Sequence, residues 1–265
     1  IPESVTSIED QAFSGCSGLS VIEVDPNNQY YCSEDGILYN KNKTEIICYP
    51  SAKNGEQFVI PDSVTNIMGG AFYGCNSLIK VVIPDGVTTI GDYAFYGCSN
   101  LTEIEIPSSV KNIGDKAFYG CESIVSVVIP NSVTGIGEGA FEECNSLESI
   151  TIPFIGESRY ATTNTHFGYI FGAYSDSSNS NFVPDSLHTV MITDCVKIAS
   201  YAFYGCNMLT DITIPDSVTS IGKYAFEKCS SLENITVPAF VVSYLPKENL
   251  VNVVITSGEA IEANA

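Results

Sequence analysis

Residues 83–98 read IPDGVTTIGDYAFYGC, residues 106–121 read IPSSVKNIGDKAFYGC, and residues 129–144 read IPNSVTGIGEGAFEEC. The step between them is 23 residues, and the same step carries the phrase outward along the chain. Prolines stand at 61, 84, 107, 130 and 153, then again at 215 and 238. Phe72, Phe95, Phe118 and Phe141 keep the spacing, as do Phe203 and Phe226. So do Cys75, Cys98, Cys121 and Cys144, followed by Cys206 and Cys229. Pro2, Phe13 and Cys16 hold the same internal offsets, so the chain starts in register. A period of this size marks a repeat architecture, in which one unit buries its apolar side only against its neighbours.

One unit can be read position by position. In LTEIEIP (101–107), Leu101, Ile104 and Ile106 point inward while Glu103 and Glu105 point outward, the alternation of a half-buried strand. Pro107 lacks an amide hydrogen, ends the pairing and turns the chain. SVKNI buries Val110 and Ile113 as a second extended piece. Gly114 is expected to permit a bend, and DKAFYGC is long enough for about one helical turn. Ala117 allows close approach while Phe118 fills the interior. Stacked in register, strands of successive coils lie about 4.8 Å apart, and the length of the chain predicts about ten coils.

The pattern L-x-x-I-x-I-P-x-S-V-T-x-I-G-x-x-A-F-x-x-C closely resembles the leucine-rich repeats of the bacterial surface antigen A type (BspA-like). The resemblance is strict over residues 1–24, 60–153 and 192–237 and looser between them. It implies a curved, right-handed parallel β-solenoid with short strands and single helical turns, and a strand ladder on the concave side. It also implies a secreted or wall-attached protein of a host-associated microbe, engaged in adhesion to host proteins or other cells.

Charge narrows the partners. Of 265 residues, 31 are acidic and 11 basic, for a formal net charge of −20. Such a surface repels phosphate backbones and anionic bilayers, which argues against nucleic acid and membrane surfaces as partners. No apolar run is long enough to span a bilayer. The chain opens at Ile1-Pro2, inside the phrase, and closes before the phrase would place its next Phe, so it reads as a piece of a longer chain. Signal and anchor would then lie elsewhere. Uncapped first and last coils predict end-to-end self-association or fraying.

The expected organisation is a single solenoid over 1–265: a first coil at 1–24, an elaborated coil at 25–59, regular repeats at 60–153, an irregular insert at 154–191, regular repeats at 192–237, and irregular last coils at 238–265. In the first insert, ILY and EIICY flank the polar NKNKT, a hairpin signal. The second insert is rich in Ser, Asn, Gly and Tyr, so loops should dominate, while SLHTVMIT resumes the ladder rhythm. Insertions in repeat proteins emerge on one face, often the binding face.

Little in the sequence suggests chemistry. Equivalent cysteines on stacked coils have parallel side chains about 4.8 Å apart, whereas a disulfide needs Cβ atoms converging to about 4 Å. The seven phrase cysteines, Cys16 among them, should be buried free thiols. Cys32 and Cys48 lie on the hairpin insert, where a bridge across it stays open, and Cys195 replaces the Ser of the phrase. A ladder of one thiol per coil supplies no tetrahedral cluster, so no metal or cofactor is expected. His166 and His188 stand near Ser and Asp, yet no nucleophile signature accompanies them.

The expected role is therefore non-enzymatic: a cell-surface or secreted interaction module that binds host or bacterial surface proteins. The candidate contacts are Val82, Glu105 and Val128 on the strand face, Tyr96 and Tyr119 on the flank, and Tyr169, Phe171 and Tyr174 in the second insert. Carbohydrate recognition through exposed Tyr and a passive spacer presenting another domain are the alternatives. A catalytic site in the second insert would require a histidine to converge with Ser or Asp.

Overall fold

A residue that must turn left-handed decides what the turn block of each coil becomes. Lys116 has φ 51°, and Gly70, Tyr93, Gly139, Tyr201 and Tyr224 repeat that conformation at the position just before Ala. A right-handed helix cannot pass through such a residue. The expected helical turn is instead a run of tight turns closed by i→i−3 bonds, Tyr119 N to Lys116 O at 3.1 Å and Cys121 N to Phe118 O at 3.2 Å.

The computed structural model describes residues 1–246 and 249–258. Part of the irregular stretch expected at 238–265 lies outside these residues. The chain forms two compact units, one of residues 1–124 and 135–145, the other of residues 125–134 and 146 onward.

In the first unit the strands are β1 (Tyr31–Glu34), β2 (Ile37–Asn40), β3 (Glu45–Cys48), β4 (Gln57–Val59), β5 (Asn66–Ile67), β6 (Lys80–Val82), β7 (Thr89–Ile90), β8 (Glu103–Ile104) and β9 (Asn112–Ile113). The second unit begins with β10 (Ser126–Val128), and β11 (Gly135–Ile136) returns to the first. The first unit holds a seven-stranded sheet, β1-β2-β3-β5-β7-β9-β11, and a three-stranded sheet, β4-β6-β8. From β3 onward the larger sheet is parallel, with Ile67, Ile90, Ile113 and Ile136 in one inward row. The rest of the second unit comprises β12 (Ser149–Ile152), β13 (Thr189–Ile192), β14 (Lys197–Ile198), β15 (Asp211–Thr213), β16 (Ser220–Ile221), β17 (Asn234–Val237) and β18 (Asn252–Ile255). Its sheets are β10-β12-β13-β15-β17-β18 and β14-β16, both parallel.

Bonds between coils run in both directions around the turn. Gly114 N donates back to Ile90 O (2.9 Å), while Phe118 N donates forward to Ala140 O (2.8 Å). Gly114 does not supply the expected bend. A Cβ there would lie 2.5 Å from Asp92 N and 2.6 Å from Gly91 C, so the glycine admits the backbone of the coil before it. Inside, the rings of Phe72, Phe95, Phe118 and Phe141 stack with centroids 4.8, 5.2 and 5.3 Å apart. In the second unit Phe167 lies tilted against Phe203 at 4.9 Å, and Phe203 stacks on Phe226 at 5.4 Å. Each buried ring contributes about 2–3 kcal/mol of transfer free energy.

The thiols have a role beyond filling space. Cys98 Sγ donates to Phe72 O (3.1 Å), Cys121 to Phe95 O (3.3 Å), Cys144 to Phe118 O (3.3 Å) and Cys229 to Phe203 O (3.0 Å). A small group that packs as a hydrophobe and still donates weakly suits that position. All ten cysteines are free. Burial pushes Cys144 and Cys229 up to about 12. Cys16 departs from expectation: it is exposed, in a first coil without strands whose Phe13 is only partly buried.

Both inserts keep the stacking rule. In the first, the polar loop after β2 was the expected one, and β1 adds a further strand through the tight turn Asp35-Gly36 (φ 51° and 76°). Cys32 on β1 and Cys48 on β3 are separated by β2, so they form no bridge. Tyr49 takes the place of the column Phe, donating to Ala71 O (2.7 Å) and stacking on Phe72. In the second, Phe167 does the same, donating to Ala202 O (2.8 Å). Because each insert spends more than 30 residues on one coil, the turn count is about eight rather than ten.

Candidate interaction surface

Alternation along each strand leaves one residue in two facing outward, and register stacks these into rows. In the first unit Val59 pairs with Val82, and Gln57, Lys80 and Glu103 form the row beside them. Val82 is 41% exposed, and Glu105 lies exposed just beyond β8. Lys80 Nζ sits 2.8 Å from Glu103 Oε2, and this hydrogen bond holds the Glu103 carboxyl below its ordinary value.

The six-stranded sheet of the second unit gives the longer face. One outward row runs Val128, Thr151, Met191, Thr213, Thr236 and Val254; the next runs Ser126, Ser149, Thr189, Asp211, Asn234 and Asn252. Val128 is 61% exposed, and Met191 and Val254 are also open to solvent. Among these positions Asp211 alone carries a charge, on a chain of net charge −20.

The flank tyrosines are largely occupied with one another. Tyr73, Tyr96 and Tyr119 stack with centroids 4.6 and 4.5 Å apart, and Lys116 Nζ lies 5.3 Å above Tyr119. Tyr96 and Tyr119 are half-buried, and burial raises the Tyr119 hydroxyl above its ordinary value. Tyr201 and Tyr224 form a similar pair at 5.2 Å in the second unit.

The expected contacts of the second insert divide. Phe171 is a correction: it is fully buried in the 310 turn of Phe167–Phe171, edge-on to Phe167 at 5.4 Å, and offers no surface. Its neighbours Phe167 and Ile170 point inward too, so the aromatic run closes the core rather than decorating it. Tyr169 is half-buried. Tyr174 is exposed, its ring edge-on to Phe182 at 5.9 Å. His166 is buried with Nε2 2.7 Å from Ala173 O, while His188 is exposed in the connection before β13. Each histidine thus has its own surroundings, and among the described residues neither ring meets a serine or an aspartate in a hydrogen bond. No cluster of three or more His, Cys, Asp or Glu able to hold a metal occurs among the described residues.

Residues 154–165 and 195–199 enclose a groove of about 460 Å³. Arg159 builds its wall, pairing with Asp194 and donating to Asn131 O (2.9 Å). Tyr160 and Lys197 line it as well. None of these was singled out above, although one signal was present: Arg159 is the single arginine of the chain.

A family model described as "BspA type Leucine rich repeat region" matches residues 1–54, 47–165 and 177–255, in six copies. The chain belongs to the BspA-type leucine-rich-repeat family. Among solved structures, the pneumococcal vaccine antigen PcpA is similar at 24% identity with a TM-score of 0.64, covering 97% of this chain and 55% of PcpA. A leucine-rich-repeat protein from Eubacterium ventriosum is similar at 28% identity and a TM-score of 0.52, covering 96% of this chain and 56% of that one. The BspA-type chain thus spans little more than half the length of either. No curated protein sequence matches it. No helix among the described residues is long and apolar enough to cross a membrane.

Proposed function

We propose that this BspA-type chain is a non-enzymatic interaction module of a secreted or cell-surface protein, binding host or bacterial surface proteins through its outward strand face. The observation that carries the reading is the row from Val128 to Val254: apolar and hydroxyl side chains, nearly free of charge, on a strongly acidic protein. Depletion of charge with retained apolar area is the composition of an interface centre. The description of PcpA as a vaccine antigen agrees with a surface location for proteins of this fold. Affinity would come from many contacts along the face rather than from one pocket.

The test is surface plasmon resonance against a panel of host extracellular and bacterial surface proteins, with the Val128→Glu/Met191→Glu double variant as control. Binding that the double variant abolishes, while circular dichroism stays unchanged, supports the face. A panel that stays silent at the highest soluble concentration, or binding that ignores the double variant, refutes it. A silent panel would favour the spacer role.

A further inference from the structure

We propose that the groove of the second insert is a saccharide site that prefers a sugar bearing a carboxylate. Its volume of about 460 Å³ falls in the range of small-ligand sites, roughly 300–1,000 Å³, and suits one or two sugar rings better than a length of peptide. Its lining is unlike the rest of the surface. Acids outnumber bases 31 to 11 in the chain, yet no Asp or Glu lines this groove and two cations do. The two are not equivalent. Arg159 is neutralised by Asp194 and serves to hold the wall. Lys197 has no ion pair among the described residues, and its backbone is fixed by the pairing of β14 with β16. It is the free charge of the site.

The remaining lining matches a sugar. Tyr160 lines the groove while 85% exposed, leaving a ring face for the C–H side of a pyranose. Ser158, Thr162 and Thr165 offer hydroxyls that donate and accept, as a belt of sugar hydroxyls requires. Lys197 then selects the carboxylate, as a compact, strongly hydrated point charge. The groove is separate from the outward rows, so this site stands or falls apart from the strand face.

The experiment is a ligand titration of the whole chain followed by NMR, with glucuronate, glucose and a short oligoglutamate peptide as probes. Glucuronate should bind about two- to fivefold more tightly than glucose at low ionic strength, the advantage of one exposed ion pair, and salt should erase the difference. Lys197→Gln should equalise the two sugars, and Tyr160→Ala should weaken both. Each of these side chains is exposed, so neither variant should disturb folding, which thermal melts will verify. Absence of binding by both sugars, equal affinities in the native chain, or sugar binding indifferent to both variants overturns the proposal. So does oligoglutamate binding in the absence of sugar binding, which would reassign the groove to acidic peptides.

Discussion

The two inserts solve one problem in two ways. The segment 25–59 interrupts the stack with a hairpin that lengthens a sheet, whereas 154–191 interrupts it with 310 turns, a four-residue helix (Asn179–Phe182) and loops. Both obey two conditions. Each places one ring in the aromatic column, Tyr49 or Phe167, and each passes one backbone bond to the Ala of the next coil. Both are also spliced by one fully buried asparagine. Asn28 donates to Pro2 O and Val5 O at 2.9 and 3.0 Å and accepts from Tyr30 N and Tyr31 N. Asn179 accepts from Gly168 N at 2.9 Å and donates to Ala202 O and Tyr204 O, each at 3.2 Å. In a regular coil the carbonyl equivalent to Tyr204 O receives a glycine amide, as Gly74 N donates to Tyr96 O. The asparagine amide stands in where the backbone has wandered off. Beyond these conditions the surplus residues are unconstrained by the stack, which is why one insert can become sheet and the other a groove.

The ring condition can be broken most sharply. Phe167→Ala should cost about 4 kcal/mol, the same as Phe118→Ala in a regular coil, since both rings are fully buried. Guanidinium denaturation of the two variants provides the comparison. A loss under about 1 kcal/mol for Phe167→Ala would mean that the second insert hangs outside the core.

The asparagine condition ranks next. Asn28→Ala and Asn179→Ala each strand several buried polar groups and should cost about 3 kcal/mol. If the splice is local, hydrogen exchange will rise in the affected insert and its neighbouring coils before it rises elsewhere. A uniform rise in exchange for either variant would instead make the asparagine a general core residue.

What is legible in the sequence follows the same division. Regular coils could be read residue by residue because each position repeats: Leu101, Ile104, Ile106, Val110, Ile113 and Phe118 are all buried as alternation requires. The role of Gly114 was misread, because close approach of a coil to its predecessor is a relation between repeats and not within one. Gly70 and Gly139, before their alanines, were the available hint that this position is left-handed. In the inserts one example exists of each, so nothing averages out the accidents. The hairpin loop of the first insert was found, but its third strand was missed, although Asp35-Gly36 is a strong turn signal. Phe171 is buried where a surface contact was expected, because an aromatic run inside a polar stretch does not reveal which way it points. Asn28 and Asn179 gave no signal at all, since a buried splice looks like any loop asparagine. Of the candidate contacts, Val82, Glu105, Val128 and Tyr174 are exposed as alternation or polarity suggested, and the groove escaped because its two parts, 154–165 and 195–199, are far apart in the chain.

Alkali should probe the buried thiols, and it reaches the first insert as well, where burial pushes Cys48 up to about 12. The inserts carry Ala52 and Ile170 where the regular coils carry a buried thiol. Cys144 and Cys229 rise from an ordinary value of 9.0 to about 12 on folding. A raised folded value means that the native state keeps a proton the unfolded state gives up. The contribution is therefore complete below pH 9 and is lost as pH climbs toward 12. At pH 10 the loss should be about 1.4 kcal/mol for each such thiol. Denaturation midpoints at pH 8 and 10 will show it, and Cys144→Ala/Cys229→Ala should lessen the dependence by the share of those two thiols, since burial also raises Cys48, Cys121 and Cys206. A midpoint insensitive to pH over that range contradicts the burial of these thiols.

The mildest change sharpens the contrast best, because it touches an insert without touching either stacking condition. Gly36 closes the tight turn between β1 and β2 at φ 76°, and an added Cβ would lie 2.6 Å from Val21 Cγ2. Gly36→Ala should cost about 1 kcal/mol, the ordinary penalty for a side chain in the left-handed region, with Val21 able to give way. Tyr49 and its bond to Ala71 O stay in place, so exchange protection should fall on β1 and β2 while β5, β7 and β9 keep theirs. If protection instead collapses through β9, the hairpin is holding the edge of the parallel sheet, and the freedom of the surplus residues argued above is smaller in the first insert than in the second.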